Sequence, residues 1–92
     1  MFILVSYDIP NDKRRLKIAK ILEDYGDRVQ YSVFECDLPE KQFQKLVKEL
    51  EQVLEESEDS IRIYLLCQTC VTKIRAMGQA EPPAEAPVVY IV

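Results

Sequence analysis

The 92-residue chain has no histidine. That absence removes imidazole as general base, as partner of a nucleophile and as metal ligand. Any hydrolysis therefore has to run on a carboxylate-held metal or on Tyr, Lys and Arg. Long apolar runs are also missing, and none approaches the ~20 residues that a membrane-spanning helix needs. Met1 leads directly into a short apolar stretch, with neither a basic leader nor a small-residue cleavage site, so no secretory signal is expected. Cysteines number only three, an odd count that, without an export signal, suggests reduced thiols and a cytoplasmic location. Cys67-Gln68-Thr69-Cys70 has the C-x-x-C spacing, but zinc normally takes four ligands and only Cys36 remains. The motif also follows a late strand, whereas a thioredoxin-like site opens a helix after an early one. Cysteine packs as a small hydrophobe, and the pair is expected to be buried and structural.

What is present fits one small domain. Hydrophobic residues make up 48% of the chain, enough for a single modest core, and a chain this short commonly supplements its core by oligomerising. The net charge of −4 argues against indiscriminate nucleic-acid adhesion. Charge is unevenly placed, however, with Lys13, Arg14, Arg15, Lys17 and Lys20 in one segment and Glu49, Glu51, Glu55, Glu56, Glu58 and Asp59 in another. A local basic patch on an acidic protein can still hold a phosphate backbone. The acidic run reads as a solvated helix end.

Phe2 to Tyr7 is apolar without alternation and reads as a central strand. Asn11 and Asp12 then start a helix that runs to about Tyr25 and stops at Gly26. Ile18, Ile21, Leu22 and Tyr25 share one face of it, and Lys13, Lys17 and Lys20 another, which is either a phosphate-binding row or a solvated face. From Arg28 to Asp37 Val29, Tyr31 and Val33 alternate with Gln30, Ser32 and Phe34. No Gly, Pro or Asn interrupts them, so one long strand is expected. Pro39 suits a first helical turn, and Phe43, Leu46, Val47, Leu50, Val53 and Leu54 define an amphipathic helix ending near Glu56. Ile61 to Cys67 is a strand, Val71 to Met77 is a weak strand or a turn-rich segment, and Gly78 closes it. These residues, 1–78, form the domain. Residues 79–92 are expected to be a proline-rich linker, Gln79 to Pro87, and a terminal apolar strand, Val88 to Val92. That strand is an aggregation hazard unless it pairs with a sheet edge, its own or a partner's. The order implies an α+β layer fold with two helices on one face of a sheet.

The first strand ends in a lone acid, Ser6-Tyr7-Asp8-Ile9-Pro10. A carboxylate at a sheet rim is a suitable oxygen ligand for a hard divalent cation, and the cations of residues 13–15 suit a phosphodiester backbone. A turn or helix-cap role for Asp8 beside Pro10 is the alternative on this segment alone.

The Tyr7-Asp8-Ile9-Pro10 strand end, the Arg14-Arg15 step, the phrase Arg28-Val29-Gln30-Tyr31-Ser32-Val33-Phe34-Glu35 and the terminal apolar strand resemble the CRISPR-associated Cas-two (Cas2) family. The likeness spans nearly the whole chain, and the Arg28–Glu35 phrase is its more specific element. It implies a ferredoxin-like β-α-β-β-α-β fold with an extra C-terminal strand, exchanged between the subunits of a homodimer. It implies that Asp8 of both subunits holds one Mg²⁺ per dimer, with Tyr7 beside it in the catalytic site. Arg15 and Arg28 match cationic positions tied to nucleic acid, and the match extends to Arg14, Lys17, Ser32 and Phe34. Lys17 stands where some members carry arginine, and lysine cannot make the bidentate phosphate contact. The implied role is in spacer acquisition, with DNA or RNA and an integrase subunit as partners. The implied activity is that of a Mg²⁺-dependent endonuclease, or else of a non-catalytic scaffold. A ferredoxin-like toxin or regulatory module outside CRISPR is a further alternative. The resemblance also implies two short strands within Arg28–Asp37, where the residues alone show no turn.

Overall fold

The apolar segment Phe2–Asp8 is a strand, β1, and the other elements are arranged around it. The computed structural model describes residues 1–81. After β1 come α1 (Asp12–Glu23), β2 (Asp27–Gln30), β3 (Val33–Asp37), α2 (Glu40–Val53), β4 (Ser60–Leu66) and the single-turn α3 (Gln68–Val71). The four strands form one sheet in the order β2-β3-β1-β4, with every neighbouring pair antiparallel. This is the β-α-β-β-α-β order of an α+β sandwich, with α1 and α2 packed together on one face. The expected strand at 88–92 and the linker from residue 82 lie outside the described residues.

Period-two alternation decides what β1 buries. Ile3, Val5 and Tyr7 point toward the helices and join Phe34 and Cys36 of β3 in the core. Ile18 and Leu22 of α1 and Leu46 and Leu50 of α2 close that core from above. Leu4, Ser6 and Asp8 point the other way, onto the face opposite α1 and α2, where Ile74, Arg75 and Ala76 line a cleft with Leu4, and Asp8 is exposed. Asn11 caps α1 by accepting from the Arg14 N–H at 3.0 Å. At the other end Tyr25 donates to the Glu49 carboxylate and links α1's exit to α2. That carboxylate, helped by burial, pushes the phenol up to about 12.

Three readings from sequence need correction. The Arg28–Asp37 segment is two strands joined by a turn at Tyr31-Ser32, with a bulge between Arg28 and Gln30. No residue other than glycine has a positive φ among the described residues, so the turn needs no Gly or Asn and carries no such signal. It is held from outside instead, because the Tyr7 N–H donates to the Ser32 carbonyl at 3.1 Å. Cys67 and Cys70 are exposed and only Cys36 is buried, because the chain leaves the sheet at Leu66. The acidic run is not wholly solvated, since Asp59 is buried. The ambiguous segment after Cys70 contains the end of α3 and then turns, with Gly78 at φ 64°.

Gly26 connects α1 to β2 where the backbone runs hard against β3. A Cβ there would lie 2.9 Å from the Cys36 Cα and closer still to the Glu35 carbonyl and the Cys36 sulfur. Two of those three atoms are backbone and cannot swing aside. Gly26→Ala is expected to cost roughly 1–3 kcal/mol through overpacking. Urea unfolding measures it, and an unshifted midpoint would mean that the β2–β3 hairpin yields freely.

Candidate functional site

Because neighbouring residues of a strand point to opposite faces, the end of β1 presents two different surfaces. Asp8 is exposed on the open face and pairs in register with Ser60 of β4. With Ser6, Tyr7, Ser60 and Arg62 it lines a shallow depression of about 240 Å³. Arg62 enters through the alternation of β4, which places it, Tyr64 and Leu66 on this side. The sequence alone predicts the strand but gives no register to bring Arg62 beside Asp8.

Tyr7 belongs to the other surface. Its side chain is 5% exposed, its ring stacks on Phe34 at 6.3 Å, and its hydroxyl donates to the Tyr31 carbonyl at 3.5 Å. Burial pushes the phenol above its ordinary value, and the nearby Arg28 and Arg15 guanidinium groups only partly offset that. Tyr7 is therefore a neutral donor that positions the β2–β3 turn; the residue lines the depression beside Asp8, but its hydroxyl is engaged at the turn, which corrects the expectation of a catalytic hydroxyl there. Phe34 is also corrected, since a ring with no exposure cannot meet a nucleic acid. It serves as the platform for Arg28, whose guanidinium carbon lies 5.2 Å from the ring centroid. Ser32 is half-buried in the turn, where its carbonyl receives the Tyr7 N–H.

The four remaining cationic candidates separate by partner. Arg15 donates to the Ile9 carbonyl at 3.0 Å and to the Asp12 carboxylate, which holds its guanidinium more firmly protonated. Arg28 and Lys17 are exposed, as are Lys13 and Lys20. Arg14 differs, because it is half-buried with Nε and Nη2 committed to protein. Its Nε and Nη2 donate to the two Asp59 oxygens at 2.8 and 3.1 Å, and Nη2 lies 3.4 Å from Glu58. The Glu55 N–H donates to the same Asp59 carboxylate at 2.9 Å. Arg14 is thus corrected from a phosphate contact to the clamp between α1 and the start of β4. Tyr31, missed from sequence, stands 76% exposed in the β2–β3 turn, and its carbonyl accepts from the Tyr7 hydroxyl.

No group of three or more Cys, Asp or Glu side chains could hold a metal ion among the described residues. Asp8 offers one carboxylate, with the hydroxyls of Ser6 and Ser60 beside it. Magnesium is bound through one or two carboxylates and keeps several waters, so this donor set fits half of such a site.

A family model described as CRISPR associated protein Cas2 matches residues 1–74. A protein from Chloroflexus aurantiacus, named CRISPR-associated endoribonuclease Cas2 1, is 47% identical over 93 aligned positions covering 100% of both chains. The crystal structure of Streptococcus pyogenes Cas2 at pH 6.5 superposes with a TM-score of 0.75 at 38% identity. It covers 85% of this chain and 100% of its own. A chain of a partial Cas6-RT-Cas1–Cas2 complex superposes with a TM-score of 0.73 at 32% identity, covering 91% and 97%.

The Arg14–Asp59 pair carries a pH signature. The Arg14 hydrogen bonds, reinforced by the Glu55 N–H, hold the Asp59 carboxyl below its ordinary value. A carboxylate so lowered contributes stability that is present above its unfolded pKa, about 4, and is lost as pH falls through the folded value. Arg14→Ala is expected to destabilise the protein at pH 7, with the deficit shrinking below about pH 4. Urea midpoints from pH 7 to 3 test this, and a deficit constant across that range would refute the charge-based account.

Proposed function

The chain belongs to the CRISPR-associated Cas2 family, and from that premise we propose that it serves CRISPR adaptation as a homodimer that binds nucleic acid. In this reading it is also a Mg²⁺-dependent endonuclease on RNA or DNA phosphodiesters. The observation that carries it is Asp8: an exposed carboxylate at the sheet rim, one residue from a buried tyrosine that fixes its strand. The relatives' names support a nuclease, since the Chloroflexus protein is named an endoribonuclease. They leave the substrate open between RNA and DNA.

The parts divide as follows. Asp8 of each subunit supplies the charged oxygen ligand, and two chains meeting at their open faces complete the half-site. Magnesium bound by these carboxylates would supply Lewis-acid chemistry toward a phosphodiester oxygen and a water. Arg62 faces the same depression and can neutralise charge developing on a phosphoryl oxygen. Arg15, Arg28 and Lys17, with Lys13 and Lys20, bind the backbone electrostatically, which reads shape and charge rather than sequence. Tyr7 and Phe34 hold the turn and the Arg28 stem in place.

A non-catalytic scaffold bridging an integrase and DNA is the second reading. It is favoured by the lack, among the described residues, of a general base beside Asp8 and by the structural likeness to a chain of the Cas1–Cas2 assembly. Asp8→Asn separates the two. It keeps the shape and removes the charge, so metal-dependent cleavage of labelled RNA and duplex DNA is expected to disappear while the fold is retained. Cleavage that persists in the purified variant denies Asp8 the catalytic role, and wild-type protein that never cleaves leaves the scaffold.

The basic surface is tested separately. Arg15→Ala with Lys17→Ala removes two cations, and the slope of log affinity against log salt should flatten by about 2 on duplex DNA. Circular dichroism checks that the helix survives the loss of the Ile9 contact. An unchanged slope in a folded double variant assigns binding to another face.

A further inference from the structure

The C-x-x-C has no part in the nuclease or scaffold readings. It is not part of the core either: both thiols are exposed, while Cys36 is buried. Cys67 stands where the chain turns off β4, immediately before α3. Its sulfur accepts from the Cys70 N–H at 3.4 Å, so the first turn folds Cys70 back onto Cys67. The Cys67 side also opens on a depression of about 260 Å³ between the start of β1 and the end of β4, which Met1, Phe2 and Asp37 line as well. Small molecules can reach it.

Two exposed thiols held together without further ligands can close on each other or on a small reagent. A thiolate metal site is not supported, since no third Cys, Asp or Glu joins them among the described residues and the chain has no histidine. We propose that Cys67 and Cys70 form a reversible dithiol–disulfide pair that exchanges with low-molecular-weight disulfides such as oxidised glutathione, with Cys67 as the attacking sulfur.

The direction of attack follows from the hydrogen bonds. The backbone N–H of Cys70, and then its thiol, stabilise negative charge on the Cys67 sulfur and lower its pKa, while Cys70 is raised by that same neighbour. The Cys67 thiolate attacks one sulfur of the oxidant, the oxidant's S–S bond breaks, and one small thiolate leaves and is protonated. Cys70 then gives up its proton and attacks the Cys67 sulfur, expelling the second small thiol. The protein loses two protons and two electrons, and one molecule of disulfide becomes two thiols. Cys36 stays out of the exchange, because burial pushes its thiol up to about 11 and shields it.

The test uses the reduced full chain in an excess of oxidised glutathione, followed by alkylation and mass spectrometry. The expected product has a Cys67–Cys70 disulfide within one chain and Cys36 still reduced. Cys70→Ser should instead accumulate a glutathione adduct on Cys67. Cys67→Ser should form its adduct on Cys70 about threefold more slowly, because in Cys70→Ser the backbone N–H of residue 70 still stabilises the Cys67 thiolate, whereas Cys70 in the other variant only loses the neighbour that raised it. In urea the two single variants should react alike. The proposal is overturned if the folded variants react at equal rates, if the bond joins two chains, or if both thiols survive the oxidant.

Discussion

The alternation of β1 is the constraint on which both surfaces depend. β1 lies between β3 and β4, so its odd-numbered residues must fill the core under α1 and α2. A slip by one residue would send Ile3, Val5 and Tyr7 to the open face and Asp8 into apolar surroundings. Burying an unpaired carboxylate is far costlier than exposing it, so the register that packs the core is also the one that presents Asp8. Tyr7 adds to this lock. Its ring packs on Phe34, its N–H meets the β2–β3 turn, and Arg28 lies over the Phe34 ring. Core packing and the placement of charge at the strand end are thus one arrangement.

A second tie fixes the elements that flank β1. Asp59 precedes β4 directly, and Arg14 lies in the first turn of α1, which follows β1. Their bidentate contact joins the two, and the Glu55 N–H completes the carboxylate's partners. A desolvated carboxylate is tolerated when its lone pairs are met in this way. The same pairing removes Arg14 from the cations available to a phosphate backbone. Adjacent arginines, Arg14 and Arg15, therefore do different work, since one faces an acidic turn and the other the Ile9 carbonyl.

Local signals made much of this legible in the sequence. Asn11 before a helix-period pattern gave α1, and the apolar spacing of Phe43, Leu46 and Leu50 gave α2, because both are set by residues within a turn or two. The Tyr31–Ser32 turn was invisible to residue pattern because ordinary residues can adopt its backbone and a distant strand holds it. Only the likeness of the Arg28–Glu35 phrase to a known family pointed there. Asp59 and the C-x-x-C were misread for a related reason. Whether an acid or a thiol is buried depends on what lies opposite, and neither Arg14, 45 residues away, nor the chain's departure from the sheet is encoded nearby. Tyr7 and Phe34 looked like site residues by family position, and their burial makes them supports of the site.

The proposed metal site and the proposed dimer also constrain one another. Each chain brings a single carboxylate, Asp8, to the depression at the end of β1, and among the described residues no other acid stands close enough to complete a cluster. A hard cation bound by one carboxylate and water gains little over solution, whereas two carboxylates brought together both attract it and repel each other without it. Metal affinity and association are then linked in both directions: whatever magnesium gains from the dimer, the dimer gains from magnesium. The apolar residues that β4 presents on that face, the exposed Tyr64 and the half-buried Leu66, favour association without metal. Hydrophobic contact can hold the two chains together while the carboxylates set how much the cation adds.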